Sequence, residues 1–142
     1  MTELETLAVE EVIARHRFFV TWFTGRGPDS ALDEAARAFA ADMRRIGPDA
    51  RVQTADEVVA MLRSARGTRA DGFAIGIDVQ ASRRLADGLA LVVYDELQSD
   101  GAARTARRAS AIFGADANAP GGVAWHHLQE TWIDPAPGAP PG

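Results

Sequence analysis

The sequence predicts an α+β domain in which three helices cover one face of a strongly curved antiparallel sheet. The first half of the chain carries helix-start patterns followed by apolar residues at helical spacing, whereas from residue 73 onward apolar and polar residues alternate with a period of two. The length of 142 residues suits one core. We therefore assign a single domain to residues 1–133 and a disordered Pro/Gly-rich tail to residues 134–142.

Each predicted helix begins at a capping pattern, in which a side chain at the helix start bonds a free backbone N–H. The three patterns are Thr2-x-x-Glu5, Ser30-x-x-Asp33 and Thr54-x-x-Glu57. They predict helices over about residues 3–23, over about residues 30–40, and from residue 55 to just before Gly67. Between the second and third helix, DMRRI and RVQ flank a Gly-Pro-Asp-Ala turn and are predicted to form two short strands.

The second half is predicted to be a meander of four strands. Apolar and polar residues alternate strictly over residues 73–79, which predicts the first strand. The Asp-Gly pairs at residues 87–88 and 100–101 are hairpin signals that separate this strand from the second strand and the second strand from the third. A Gly/Pro/Asn-rich loop over about residues 114–122 then leads into a last strand, VAWHHLQETW, at residues 123–132. The sequence therefore predicts one curved sheet with three helices packed against one of its faces.

Composition excludes several classes of function. The net charge of −5 argues against a nucleic-acid partner, because phosphate binding depends on an excess of Lys and Arg. The chain has no cysteine and only three histidines, so no metal site is predicted, and without a glycine-rich phosphate loop no cofactor is predicted. The acidic start MTELETLAVEE does not read as a secretory signal, and no segment is apolar enough to cross a membrane, so the expected location is the cytoplasm.

Several stretches resemble one protein superfamily. FAADMRRIGPDARVQTADEVVAML, VVYDELQ, RRASAIF and GGVAWHHLQETW resemble the nuclear transport factor 2-like (NTF2-like) superfamily, in its SnoaL-like or ketosteroid-isomerase-like branch of small bacterial proteins. The resemblance implies a cone-shaped sheet closed on one side by helices, an apolar pocket inside the cone, and a homodimer formed through the outer face of the sheet. It does not imply one activity, because the family mixes isomerases, dehydratases, hydrolases and non-catalytic binding modules.

The pocket residues depend on which face of each strand meets the helices. Successive strand residues point to opposite faces, and Leu128 and Trp132 indicate that the face shared with His126 is the inner one. The first helix also commonly lines the pocket in this family, and the alternative for His16 is a satisfied core or boundary histidine. The expected pocket residues are His16, Phe19, Phe23, Asp95, Arg107, His126 and Glu130.

The opposite face is predicted to be the dimer face, with Tyr94 and Trp125 as anchors and Glu96–Arg108 as a charged pair. The predicted set is Tyr94, Glu96, Arg108, Trp125, His127 and Gln129. The alternative is an inverted assignment, in which Glu96, Arg108 and His127 line the pocket instead.

The functional prediction is a small, non-catalytic, dimeric module that binds a small apolar or carboxylated molecule. Matched to ketosteroid isomerase, the position of the catalytic base falls at Gly47, before Pro48, and the tyrosine position on the first helix falls near Phe18, so steroid isomerisation is disfavoured. The alternative is an enzyme of the dehydratase or isomerase type, with no cofactor, that uses a His–carboxylate pair in the pocket. Asp95 and His126 are the candidates for that catalytic pair.

Overall fold

The computed structural model describes residues 3–134 and residue 136, which form three helices and one six-stranded sheet. In chain order these are α1 (Glu3–Phe23), α2 (Ser30–Ala36), β1 (Phe39–Ile46), β2 (Val52–Thr54), α3 (Ala55–Ala65), β3 (Ala74–Ala86), β4 (Leu89–Asp100), β5 (Ala103–Ala115) and β6 (Val123–Ile133). The predicted α+β class is confirmed. Thr2 of the first capping pattern and almost all of the predicted tail lie outside the described residues.

The strands follow the order β2-β1-β6-β5-β4-β3, and the sheet does not close on itself. Strands β3 to β6 form the predicted antiparallel meander, and β1 pairs antiparallel with β2. Strand β1 also pairs with β6, and these two run parallel. The sheet is therefore mixed. Its one parallel pair was not visible in the sequence, because the alternation of side chains within a strand carries no information about which distant strand lies beside it.

Helix α2 ends earlier than predicted. The alanine-rich stretch to residue 40 favours a helix by intrinsic propensity, yet the helix stops at Ala36 and β1 begins at Phe39. The backbone N–H of Trp125 donates to the carbonyl of Ala38 at 2.8 Å, and Phe39 pairs with Trp125 across the sheet. Pairing with β6 thus overrides a weak local preference for helix.

Helix α3 begins at the predicted capping box. The Thr54 side chain accepts the backbone N–H of Glu57 at 3.2 Å, and the Glu57 carboxylate accepts the backbone N–H of Thr54 at 3.1 Å. The buried side chains of Val58 and Leu62 then pack on the core. The Trp22 indole of α1 donates to the carbonyl of Leu62 at 2.6 Å, which joins the first helix to the third.

Replacing Thr54 with alanine is expected to lower the free energy of unfolding by about 1 kcal/mol, because the helix start loses its side-chain acceptor. Urea unfolding followed by circular dichroism measures the change. Ser64→Ala is the matched control, because Ser64 is an exposed residue of the same helix and its replacement should change stability by less than about 0.5 kcal/mol. Equal stability of the wild type and Thr54→Ala would contradict a stabilising role for the cap.

Candidate functional site

The concave side of the sheet, together with α1 and α3, lines a partly open cavity of about 280 Å³. Its walls are mainly apolar and come from three parts of the fold. Helix α1 contributes Phe19 and Phe23, the neighbouring strands β1 and β6 contribute side chains that include Met43 and Leu128, and α3 contributes Leu62 among others. A mainly apolar cavity with a few polar groups has the make-up of a small-molecule site.

A buried histidine and glutamate meet on the cavity wall. The Nε2 atom of His16, on α1, lies 2.9 Å from the Oε1 atom of Glu96, on β4. The Gln98 side chain donates to the other oxygen of Glu96 at 2.6 Å. The side chains of His16 and Glu96 are only 5% and 6% exposed, so this pair interacts with little screening by water.

The hydrogen bonds of His16 define its charge. Its Nδ1 atom lies 2.7 Å from the carbonyl oxygen of Val12, which can only accept, so Nδ1 carries a hydrogen. Its Nε2 atom faces the ionised carboxylate of Glu96, which also accepts, so Nε2 carries a hydrogen as well. His16 is therefore a buried imidazolium ion paired with a carboxylate.

The pKa directions agree with this assignment. Burial alone would lower the pKa of His16, but the hydrogen bond and negative charge of Glu96, with the bond to Val12, raise its pKa above the ordinary 6.5. Burial alone would likewise raise the pKa of Glu96, yet the hydrogen bond and charge of His16, together with Arg107, lower its pKa from 4.5 to about 2. Both shifts favour the ionised form of the pair.

A second charged group of the cavity consists of two arginines around one glutamate. Arg45, on β1, donates from Nε to Glu130 Oε1 at 2.7 Å and from Nη1 to Gln53 at 2.6 Å. Arg107, on β5, reaches the other oxygen of Glu130 with Nη1 at 3.3 Å. The guanidinium of Arg107 also stacks 4.7 Å above the ring of Trp132, which is a cation–π contact.

A buried cluster around the Glu11 carboxylate contacts one wall of the cavity. The Glu11 carboxylate accepts two hydrogen bonds from Arg15, at 2.9 and 3.0 Å, and one from the indole of Trp125 at 2.8 Å. Trp125 lines the cavity, so this cluster orients one of its walls.

Tyr94 is fully buried, and its hydroxyl has no hydrogen-bond partner within the described residues. Burial, with the charges of Glu96 and Glu130, raises the pKa of Tyr94 well above 10, so it is neutral.

The structure brings together five of the seven side chains expected to line the pocket. These five are His16, Phe19, Phe23, Arg107 and Glu130. Asp95 and His126 lie elsewhere, and their expected contact does not form. Asp95 accepts from Arg108 on the convex face at 2.7 and 3.0 Å. His126 lies 3.1 Å from the exposed carboxylate of Asp42. The prediction of an Asp95–His126 pair in the pocket is therefore wrong.

A β-bulge explains the error at His126. Ile112 pairs with His127 and Phe113 pairs with Trp125, so β6 has one extra residue at His126. Trp125 and Leu128 consequently both face the cavity although they are three positions apart. His126 packs over Gly114, where an added Cβ would lie 2.6 Å from its ring. The bulge exchanges the faces of the strand, which strict alternation cannot reveal.

Only three of the six residues predicted for the dimer face lie on the convex face of the sheet. Tyr94, Glu96 and Trp125 are buried on the concave side, so their prediction as outer-face residues is wrong. On β4 it is the inverted assignment that matches, since Glu96 and Gln98 line the cavity. The convex face does carry Arg108, His127 and Gln129, but Arg108 pairs with Asp95 instead of Glu96. Arg45 and Gln98 are cavity residues that the sequence did not single out.

Two further searches bear on the kind of site. Within residues 3–134 and residue 136, no group of three or more His, Asp or Glu side chains is placed to hold a metal ion. In the same part of the chain, no helix combines the length and the apolar character that crossing a membrane would require.

Comparison with known proteins gives matches among solved structures alone. No protein-family model and no curated protein matches the chain. An NTF-2 like protein of unknown function from Pseudomonas aeruginosa is 31% identical with a TM-score of 0.78, over 89% of this chain and 98% of that one. A CaMKII hub from S. rosetta is 13% identical with a TM-score of 0.71, over 90% and 95% of the two chains. A ketosteroid isomerase-like protein from Erwinia carotovora atroseptica is 14% identical with a TM-score of 0.64, over 93% and 95%. The latter two show similarity of fold alone.

Proposed function

Since the chain belongs to the NTF2-like family, we propose that it is a non-catalytic, homodimeric module that binds a small apolar or carboxylated molecule in the cavity between α1, α3 and the sheet. The observation that carries this proposal is the partly open, mainly apolar cavity of about 280 Å³. Known ligand pockets begin at about 300 Å³. Because a water molecule takes about 30 Å³ of liquid volume, the cavity holds roughly nine groups of that size, which corresponds to a small aromatic acid or alcohol.

The protonation of the cavity supports binding over catalysis. Both ring nitrogens of His16 are already engaged, by the carbonyl of Val12 and by Glu96, so neither is free to take a proton from a substrate. Glu96, with a pKa of about 2, is a weak base at neutral pH. Glu130 is neutralised by two arginines. Gly47, at the position that matches the isomerase base, has no side chain to accept a proton.

The convex face of the sheet supports the homodimer. Leu91, Val93, Leu97 and Ile112 lie there half-buried, and partly exposed aliphatic side chains next to polar ones suit a symmetric contact. The predicted Arg108, His127 and Gln129 border this patch. A CaMKII hub shares the fold, which also favours self-association.

Native mass spectrometry of the purified protein, followed by denaturing analysis of the same sample, tests both parts of the proposal. We expect a dimer carrying a small adduct that is lost on denaturation. Leu128→Trp, which fills the cavity, should remain dimeric and lose the adduct, whereas Leu85→Trp, at an exposed position, should keep it.

A monomer would contradict the homodimer. An adduct that persists in Leu128→Trp would contradict binding in this cavity, and so would a protein without adduct that also fails to take up added phenylacetate or phenylacetamide.

A second candidate function is a dehydratase-like enzyme that uses the His16–Glu96 pair. The 2.9 Å contact of these side chains on the cavity wall favours it, because an imidazolium can protonate the hydroxyl group that leaves as water while the carboxylate takes the proton from the neighbouring carbon as the double bond forms. The test is incubation with 3-hydroxy-3-phenylpropanoate and detection of cinnamate by its ultraviolet absorbance. No product is expected from a binding module, whereas turnover that disappears in His16→Gln would establish the enzyme.

A further inference from the structure

The cavity contains more positive charge than its carboxylates can balance. Arg45 and Arg107 share one carboxylate, that of Glu130. The side chains of these three residues are 18%, 14% and 4% exposed, respectively, so the excess charge is largely removed from water. A buried charge without a partner is costly, and an ion of opposite sign relieves that cost.

The other charged groups of the cavity do not remove the excess. Glu96 is already occupied by His16 and by Gln98. Arg69, at the rim, is matched by the carboxylate of Asp100 at 3.3 Å. One positive charge therefore remains in the cavity of a chain whose net charge is −5. Such a local reversal of sign favours entry of an anion.

One donor atom identifies Arg107 as the arginine that lacks an acceptor. The Nε atom of Arg107 is buried and has no hydrogen-bond partner in the described part of the chain. Arg45 holds Glu130 at 2.7 Å, whereas Arg107 reaches it only at 3.3 Å, so Arg107 is the less satisfied of the two. Its stacking on Trp132 fixes the plane of the guanidinium. A planar guanidinium with a free N–H is suited to a carboxylate.

We propose that the ligand is a small monocarboxylate whose carboxylate binds Arg107 and whose apolar part lies against Phe19, Phe23 and Trp125. The inference rests on the proposed function and narrows it, because it selects the carboxylated ligand over the neutral apolar one. A carboxylate accepts the free Nε–H of Arg107 and compensates the excess charge. A neutral molecule of the same shape does neither, and an ammonium group adds repulsion.

The experiment compares three probes of nearly equal size: phenylacetate, phenylacetamide and phenethylamine. Binding to the full chain is followed by two-dimensional ¹H–¹⁵N NMR, with the indole N–H of Trp125 as the reporter of the cavity wall. We expect phenylacetate to bind at least tenfold more tightly than phenylacetamide, with the weakest binding for phenethylamine. The preference for the acid should disappear in Arg107→Met, which keeps the apolar stem. Arg108→Met removes the neighbouring charge on the convex face and should retain the preference.

Equal binding of the acid and the amide would overturn the carboxylate inference and leave the proposed cavity function standing. An acid preference that survives in a folded Arg107→Met variant would overturn the role of Arg107. If none of the three probes moves the Trp125 signal, the inference and the proposed function fail together. Arg107→Lys provides a second variant, because lysine keeps the charge without the Nε–H, and it should retain only part of the tenfold preference.

Discussion

Glu11→Gln is expected to lower the free energy of unfolding by about 3–5 kcal/mol, the usual effect of removing one partner of a buried ion pair. The Glu11 side chain is 0% exposed and that of Arg15 is 8% exposed. Arginine does not lose its proton in proteins, so the variant retains a buried, uncompensated charge. The amide also presents N–H groups where the carboxylate accepted the bonds of Arg15 and Trp125. Urea denaturation followed by tryptophan fluorescence measures the loss.

The neighbouring residue supplies the control for this experiment. Glu10 is exposed on the same helix, and Glu10→Gln makes the same chemical change outside the core. It should alter the free energy of unfolding by less than about 0.5 kcal/mol. If Glu11→Gln is as stable as Glu10→Gln, the buried pair contributes nothing to the free energy of unfolding, and Glu11 does not hold Trp125 in place on the cavity wall.

Glu96→Gln is expected to move the pKa of His16 from above 6.5 to below it. In the wild type, burial lowers the pKa of His16 and the bond and charge of Glu96 reverse that effect. The variant keeps the burial and loses the charge, and a neutral Nε2 can then accept from the new amide. The ring of the variant should therefore lose its positive charge at a lower pH than the ring of the wild type. An NMR titration of the histidine ring protons measures this directly.

The same pair makes stability depend on pH in a defined way. Because the folded pKa of His16 is raised, its contribution is fully present below pH 6.5 and is lost as the pH rises through the raised folded value. Because the folded pKa of Glu96 is lowered, its contribution is present above pH 4.5 and is lost as the pH falls toward about 2. The wild type should gain most from the pair between about pH 4.5 and 6.5, and Glu96→Gln should lack this dependence.

Asp95→Asn is the matched control for Glu96→Gln. Asp95 is the adjacent residue of β4, but its carboxylate pairs with Arg108 on the convex face. This variant should leave the pKa of His16 above 6.5. A pKa of His16 that stays raised in Glu96→Gln, or that falls equally in Asp95→Asn, would show that Glu96 does not hold the imidazolium.

Local patterns in the sequence predicted the elements well where short-range physics decides them. The capping box at Thr54 is satisfied as expected, because both of its bonds lie within one turn of helix. The hairpin turns at Gly88 and Gly101 have positive φ angles of 73° and 65°, which glycine adopts without strain. Phe19 and Phe23 reach the cavity because they are four residues apart on α1, where helical spacing places both on one face.

The identity of the buried polar groups was much less accessible from the sequence. The alternation along β4 predicts the wrong face for Glu96, because Tyr94, Glu96 and Gln98 resemble a polar outer surface when their partners are unknown. Burial of Glu96 is favourable only because His16, 80 residues earlier in the chain, supplies the opposite charge. The face of His126 was equally hidden, since the bulge of β6 appears only in its pairing with β5.

By itself the sequence determined the fold class, the capped start of α3, the hairpins and the meander, because each depends on residues a few positions apart whose spacing is visible along the chain. The tertiary structure alone decided the parallel pairing of β1 with β6, the bulge at His126 and the joining of His16 to Glu96 and of Arg107 to Glu130. These features depend on contacts between distant segments. A charged side chain such as Glu96 is buried only because a distant segment of the chain supplies a partner of opposite charge, so its burial follows from the assembled fold.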